Sequence, residues 1–357
     1  MKKLLLGSAA IAGLVLASAP AAAQMELTIG GHSKNYVGWL DQDEATDGAG
    51  VNEFDMIRET ELHFNGESTL DNGLTFGFQI ETEMDGGDAA VEESYIYMSG
   101  TWGRVNLGSE DGAAYLLQVS APSADSNIDG IRQYINPVNY DSMLGAAQVA
   151  ANGASFNGVV VQDYAQDQAG YAEKITYLSP NYNGFQFGAS VTPDAGDDQS
   201  NSGLNGFAAD DGSNLDDVYE AAARYEGVMS NFGYAFGAGY TDADGDNAWN
   251  VGLDVDSGPF GIGVVYTDAD AGLASQGVDQ DQLVVGADYT TGPFKFGASY
   301  FNEDGDNNIE VDRYTGGVVY TAGPGLSFRG SVSQLELDAG GDDAEATSVM
   351  GGVQINF

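Results

Sequence analysis

The chain has 357 residues, 54 of them acidic against 11 Lys and Arg, with two histidines, no cysteine and a formal charge of −43. That balance excludes a nucleic-acid partner, whose phosphates need a basic footprint, and the missing thiols exclude disulfides and thiolate chemistry. Nineteen tyrosines and 16 phenylalanines exclude a disordered acidic chain, and two histidines without cysteine argue against a zinc site.

Residues 1–23 read as a signal peptide. Lys2 and Lys3 precede an apolar run from Leu4 to Leu16 broken only by small residues. Ala21 and Ala23 supply an A-x-A pattern, so cleavage is expected after Ala23. Export removes two lysines and no acids, so −43 becomes −45. Residues 24–357 show no linker-like boundary and are read as one domain.

From there the dominant signal has period two, the mark of strands with unlike faces. Leu74, Phe76, Phe78 and Ile80 alternate with Thr75, Gly77, Gln79 and Glu81. Phe185, Phe187, Ala189 and Val191 repeat the pattern, as do Phe232, Tyr234, Phe236, Ala238 and Tyr240. About sixteen segments are expected, each roughly ten residues, the length of a tilted membrane strand. Short gaps such as "STLDNG", "SGTWG", "DSGP" and "TTGP" alternate with acidic ones at 41–54, 193–216, 268–280, 302–311 and 337–346. An even number of antiparallel strands, with turns at one rim and loops at the other, predicts an all-β transmembrane barrel. The longest gap, 110–170, is too long for an idle connection. Its Tyr115, Leu116, Leu117, Val119, Ile128, Ile131 and Ile135 suit packing against an inner wall.

On the face opposite the apolar one lie Lys34, Arg104, Lys174, Arg224, Lys295, Arg313 and Arg329, together with the acids Glu61, Glu81 and Glu83. Charge on a lipid face costs about 2–4 kcal/mol at the midplane, which explains this avoidance. Arg58 falls on the Leu62/Phe64 face, near a loop end where a bulge would redirect it. Asp242, Asp244 and Asp246, and again Asp304 and Asp306, resemble fragments of calcium loops without the full ligand spacing. They read as solvated acids, with Ca2+ bridging between loops or to lipopolysaccharide phosphates as the alternative. The chain ends in "TSVMGGVQINF", a strand whose apolar face finishes on Phe357. That strand is expected to close the barrel against the first one.

The pieces "HFNGESTLDNGLTFGFQIE", "YIYMSGTWGRVNLGSEDG", "KITYLSPNYNGFQFGASVTP" and the terminal aromatic strand, in this order, resemble the general porins of Gram-negative outer membranes, most of all the alphaproteobacterial kind. The resemblance covers the whole mature chain. It implies a sixteen-stranded homotrimeric barrel whose third external loop, here 110–170, folds inward and narrows the pore. It also implies that Phe357 serves as an assembly signal for the barrel assembly machinery. Many such porins carry arginine where Glu61 and Ser109 stand here, which moves the expectation towards a weakly cation-selective pore.

The function expected is passive diffusion of small hydrophilic solutes and ions, by steric sieving and electrostatic filtering. No cofactor is required. The surroundings would be outer-membrane lipid and lipopolysaccharide. The narrowest point is expected between the loop, with Glu110, Asp111, Asp125, Asp129, Arg132 and Asp141, and a wall with Lys34, Arg104, Arg313 and Arg329. The alternatives are a substrate-selective porin for a sugar or phosphate and an acidic secreted β-rich adhesin. A sugar channel would want an aromatic ladder, whereas the inward faces read mainly as Gly, Ser, Thr and acids. An outer-membrane serine hydrolase would need Ser beside one of only two histidines, so the protein is not read as an enzyme.

Overall fold

The computed structural model describes residues 25–47, 50–84, 90–121, 136–145, 164–195, 215–274, 277–306, 308–340 and 343–357. The leader at 1–23 lies outside the described residues. Sixteen strands follow the alternating segments: β1 (Glu26–Gln42), β2 (Phe54–Thr69), β3 (Thr75–Glu83), β4 (Ala90–Gly100), β5 (Gly103–Ser109), β6 (Glu173–Leu178), β7 (Phe185–Asp194) and β8 (Asp216–Met229). The second half holds β9 (Phe232–Ala243), β10 (Asp246–Ser257), β11 (Phe260–Ala269), β12 (Gln280–Thr291), β13 (Phe294–Gly305), β14 (Ile309–Gly323), β15 (Leu326–Ala339) and β16 (Asp343–Asn356). One short helix, α1 (Ala113–Leu116), follows β5.

Each strand pairs antiparallel with its sequence neighbour, and β16 pairs with β1, so the sheet closes into a barrel. Closure leaves no open edge, the condition for backbone in hydrocarbon. Phe357 seals the seam: its N–H donates to Gly31 O (3.1 Å) and its carbonyl accepts from Gly31 N–H (3.0 Å). Apolar side chains line the outer face, among them Val37, Phe64, Ile96, Phe187, Phe236, Ile262 and Phe328. Two aromatic rows bound this band. Trp249 and Tyr266 (ring centroids 5.3 Å) and Tyr300 and Tyr314 (5.1 Å) lie towards the loop rim. Phe260 with Tyr289 and Phe294 with Tyr320, both 4.9 Å, lie towards the short-turn rim. Such rows sit where headgroups meet hydrocarbon.

Most strands run longer than the ten residues expected, while β3, β5 and β6 are shorter, with nine, seven and six. β1 has 17, β2 has 16 and β14 has 15. The acidic gaps at 302–311 and 337–346 shrink accordingly to 306–308 and 340–342. The physical reason is a reversal of polarity towards the loop rim. On β14 and β15, Ile309, Val311, Leu335 and Leu337 point inward and are buried, while Glu310, Glu336 and Asp338 point outward. Outward carboxylates belong in water, so these strand ends project past the lipid. Their register places Asp268, Asp281, Asp304, Glu310, Asp338 and Asp343 opposite one another on six successive strands. β2 runs through Arg58 with no register shift against β1, so no bulge redirects it. Arg58 is exposed on the outer face.

Candidate functional site

The described parts of 110–170 lie inside the barrel. Past β5, α1 sets its backbone on β7, where Ala113 N–H donates to Ser190 Oγ (3.0 Å). Gln118 then binds the returning limb at both ends of its amide: Nε2 donates to Tyr164 O (2.8 Å), and Oε1 accepts from Gln166 N–H (2.9 Å). Gln166 Nε2 donates onward to Thr241 Oγ1 (3.1 Å) and Ala248 O (2.9 Å), fixing this limb to β9 and β10. Arg224 Nη1 donates to Gln118 O at 2.9 Å. The approach is close enough to need glycine. A Cβ on Gly252 would stand 2.6 Å from Val119 O, and one on Gly237 2.8 Å from the Val119 side chain.

The segment also reaches the far wall. Gln42 and Asn139 exchange two hydrogen bonds of 3.0 Å each. Residues 140–145 form a helical turn whose Tyr140, Met143 and Leu144 pack with Leu40, Val311, Leu335 and Leu337. Ala121 and Tyr164 meet Val265, Val284 and Phe301 on β11–β13. The loop residues thus lie against β6–β16 and the outer end of β1. Asp125, Asp129 and Arg132 lie outside the described residues.

The inner face of β1–β4 carries a different population: Lys34, His32, Glu59, Glu61, His63, Glu81, Glu83 and Glu93. Lys34 is buried, and its Nζ donates to Glu59 Oε1 at 2.8 Å. His32 Nε2 donates to the same oxygen at 2.8 Å. His63 Nε2 lies 2.6 Å from Glu61 Oε1, and its Nδ1 3.5 Å from Glu81 Oε1. Gln79 donates to Glu81. Arg104 ends this wall. Its guanidinium lies 3.9 Å from the centroid of Tyr97, and its Nε donates to Asn106 Oδ1 (2.6 Å). Asn106 Nδ2 donates in turn to Glu110 Oε2 (2.7 Å). Glu110 and Asp111 are buried. Burial pushes the Glu110 carboxyl up to about 7.

The other basic residues are held by local partners. Lys174 donates to the carbonyls of Gly170 (2.7 Å), Ala172 (2.8 Å) and Glu110. Lys295 pairs with Asp288 at 2.9 Å. Arg313 is buried and donates to Ser333 Oγ (3.2 Å), and Arg329 donates to Ser327 Oγ (3.2 Å). Lys34, Arg313 and Arg329 sit on strands around β16, with Arg104 beyond the carboxyl wall on β5. Asp242, Asp244 and Asp246 lie on the β9–β10 hairpin, and Asp304 and Asp306 on the β13–β14 hairpin. Asp141 lies in the helical turn.

Parity alone misses several of these residues. Tyr95 and Tyr97 face the lumen under Arg104, so the inward surface is not only Gly, Ser, Thr and acids. The alternation in "SYIYMS" held that signal. A count of histidines does not pair them: His32 stands opposite Glu61, and His63 opposite Gly30.

The family described as Gram-negative porin matches residues 7–350. Among solved structures, two variants of the Rh. blastica porin superpose with TM-scores of 0.57 and 0.60, each at 18% identity, over 93% of this chain and 100% of theirs. An anion-selective porin from Comamonas acidovorans superposes with a TM-score of 0.59 at 15% identity, over 94% of this chain and 100% of its own. At such identities the likeness is one of fold. No curated protein matches the sequence.

Proposed function

This chain belongs to the Gram-negative porin family, and from that premise we propose that it forms a water-filled outer-membrane pore for passive diffusion of small hydrophilic solutes, with a weak preference for cations. It is read as a channel rather than an enzyme. The observation that carries the preference is the wall of β1–β4, where five carboxyls (Glu59, Glu61, Glu81, Glu83, Glu93) face the lumen, and among the described loop residues Asp111 reaches that wall through its backbone, at Glu93. Crowded carboxyls repel one another, and an entering cation relieves that repulsion. Lys34 is neutralised by Glu59, and Arg104 leans on Tyr97. The narrowest passage is assigned to the space between this wall and the described loop residues of 110–121 and 136–145.

Two outer-face features support the partners. Ser33 and Thr60 (3.0 Å apart), Asn35 and Arg58 make a polar patch within the apolar band of β1–β2, which suits contact with other copies in a homotrimer better than lipid. The carboxylate row above the aromatic rows suits divalent bridging, Ca2+ included, to lipopolysaccharide phosphates. Asp304 belongs to that row. Phe357, bonded to Gly31 at the seam, is assigned to assembly.

The test is a reversal potential in a salt gradient across a planar bilayer. A cation-selective sign at low salt that weakens as salt rises is expected, because screening shortens the reach of the wall to about 10 Å at 0.1 M. An anion-selective sign would give control to Arg104, Arg313 and Arg329 instead.

A further inference from the structure

We propose that His32, Glu61 and His63 form a binding site for a divalent transition-metal ion on the pore wall. These are the only two histidines of the chain, 31 positions apart, and the barrel register brings them together. One donor atom from each of the three residues lies within 4.8 Å of the others. The Glu61 carboxylate stands between the rings, with Oε1 2.6 Å from His63 Nε2 and Oε2 3.7 Å from His32 Nε2. The rings meet edge to face at a centroid distance of 6.3 Å. His63 Nε2 is buried against the Glu61 carboxylate, 2.6 Å from its Oε1. Two ring nitrogens converging on one carboxylate in this way suit a metal ion.

The surroundings match what such an ion needs. Metal–nitrogen and metal–oxygen bonds of about 2.0–2.2 Å require donors roughly 3–3.5 Å apart, a modest rearrangement of three half-buried side chains on the inner face. Glu81 faces Nδ1 of His63, the placement by which a carboxylate fixes the tautomer of a ligating histidine. Glu59, anchored by Lys34, borders His32 Nε2 and stands as a fourth donor. Two imidazoles and a carboxylate favour Zn2+, Ni2+ or Cu2+ over Mg2+ and Ca2+, which prefer all-oxygen shells. An ion held there would cancel part of the negative wall and stand in the cation path. Only this effect on current rests on the pore reading.

The experiment uses untagged full-length protein in detergent micelles. Titration calorimetry with Zn2+ should show one site per chain. His32→Ala and His63→Ala should each weaken it about ten-fold or more, and excess Ca2+ should not compete. Zn2+ binding that is absent, or unchanged in the double variant, would overturn the site. Should the variants fail to fold, the Cu2+ electron paramagnetic resonance spectrum of the unaltered protein decides: couplings to two imidazole nitrogens are expected, and an all-oxygen signal would refute the site. In bilayers, Zn2+ should lower the current of the unaltered protein relative to its own baseline more than that of the double variant. Binding without any change in current would overturn the blocking role alone. A protein that binds Zn2+ yet never conducts would instead count against the pore reading.

Discussion

The inner faces of β6–β11 and of β1–β4 obey the same alternation but differ in how their polar groups are held. Beneath the loop, Gly237, Gly239, Thr241, Ala248, Gly252 and Val265 let backbone approach backbone, and the charged inward groups Lys174, Glu220 and Arg224 are hydrogen-bonded to the loop or to a neighbouring strand. On β1–β4 the inward carboxyls, histidines and lysine cluster side by side and pair mainly with one another. An inward residue covered by protein must be apolar or fully hydrogen-bonded, since an unpaired buried polar group costs about 1–3 kcal/mol. An inward residue facing water carries no such constraint. The chemistry of the inner face therefore reports what covers it.

The largest expected effect lies on the covered side. Leu335, 1% exposed against the 140–145 turn, should cost about 2–5 kcal/mol when cut to alanine, read as the denaturant midpoint of refolded barrels. A neutral result would mean that this turn is not packed as described. Next comes Gly252→Val, which forces the backbone at Val119 away. Overpacking of this kind costs about 1–3 kcal/mol, and the released limb should be cut faster by protease and pass a larger current. Unaltered proteolysis and conductance together would break the contrast between covered and open walls.

Glu110, where the two regions meet, sharpens the comparison through pH. Its carboxyl titrates at about 7 in the fold against an ordinary 4.5. The folded chain thus holds a proton between those values that the unfolded chain has released, and stability falls as pH rises through that window. Glu110→Gln stays neutral throughout and should flatten this part of the stability curve. Equal slopes in both proteins would remove Glu110 as the source. The smallest stability effect is expected on the open wall: Glu83→Gln should change stability by less than about 0.5 kcal/mol. It should still shift the low-salt reversal potential in the anionic direction. A large loss of stability from that change would show that the wall is packed rather than wet.

Period two was enough to determine the strand count, the antiparallel order, the rim of each connection and the inward direction of Lys34, Arg104, Arg313 and Arg329. A pleated strand must send alternate side chains to opposite faces, and only a closed sheet leaves no edge in lipid. Height and partnership were not legible. Leu335 and Val311 face inward like Arg313 on the same wall, yet they pack against Tyr140, because the loop returns to them. Arg58 falls on the apolar face near a loop end where a bulge would turn it inward, but the unbroken register leaves it outside. Nothing in the sequence pairs His32 with His63. Only strand pairing, which joins residues far apart in the chain, set Glu61 between them.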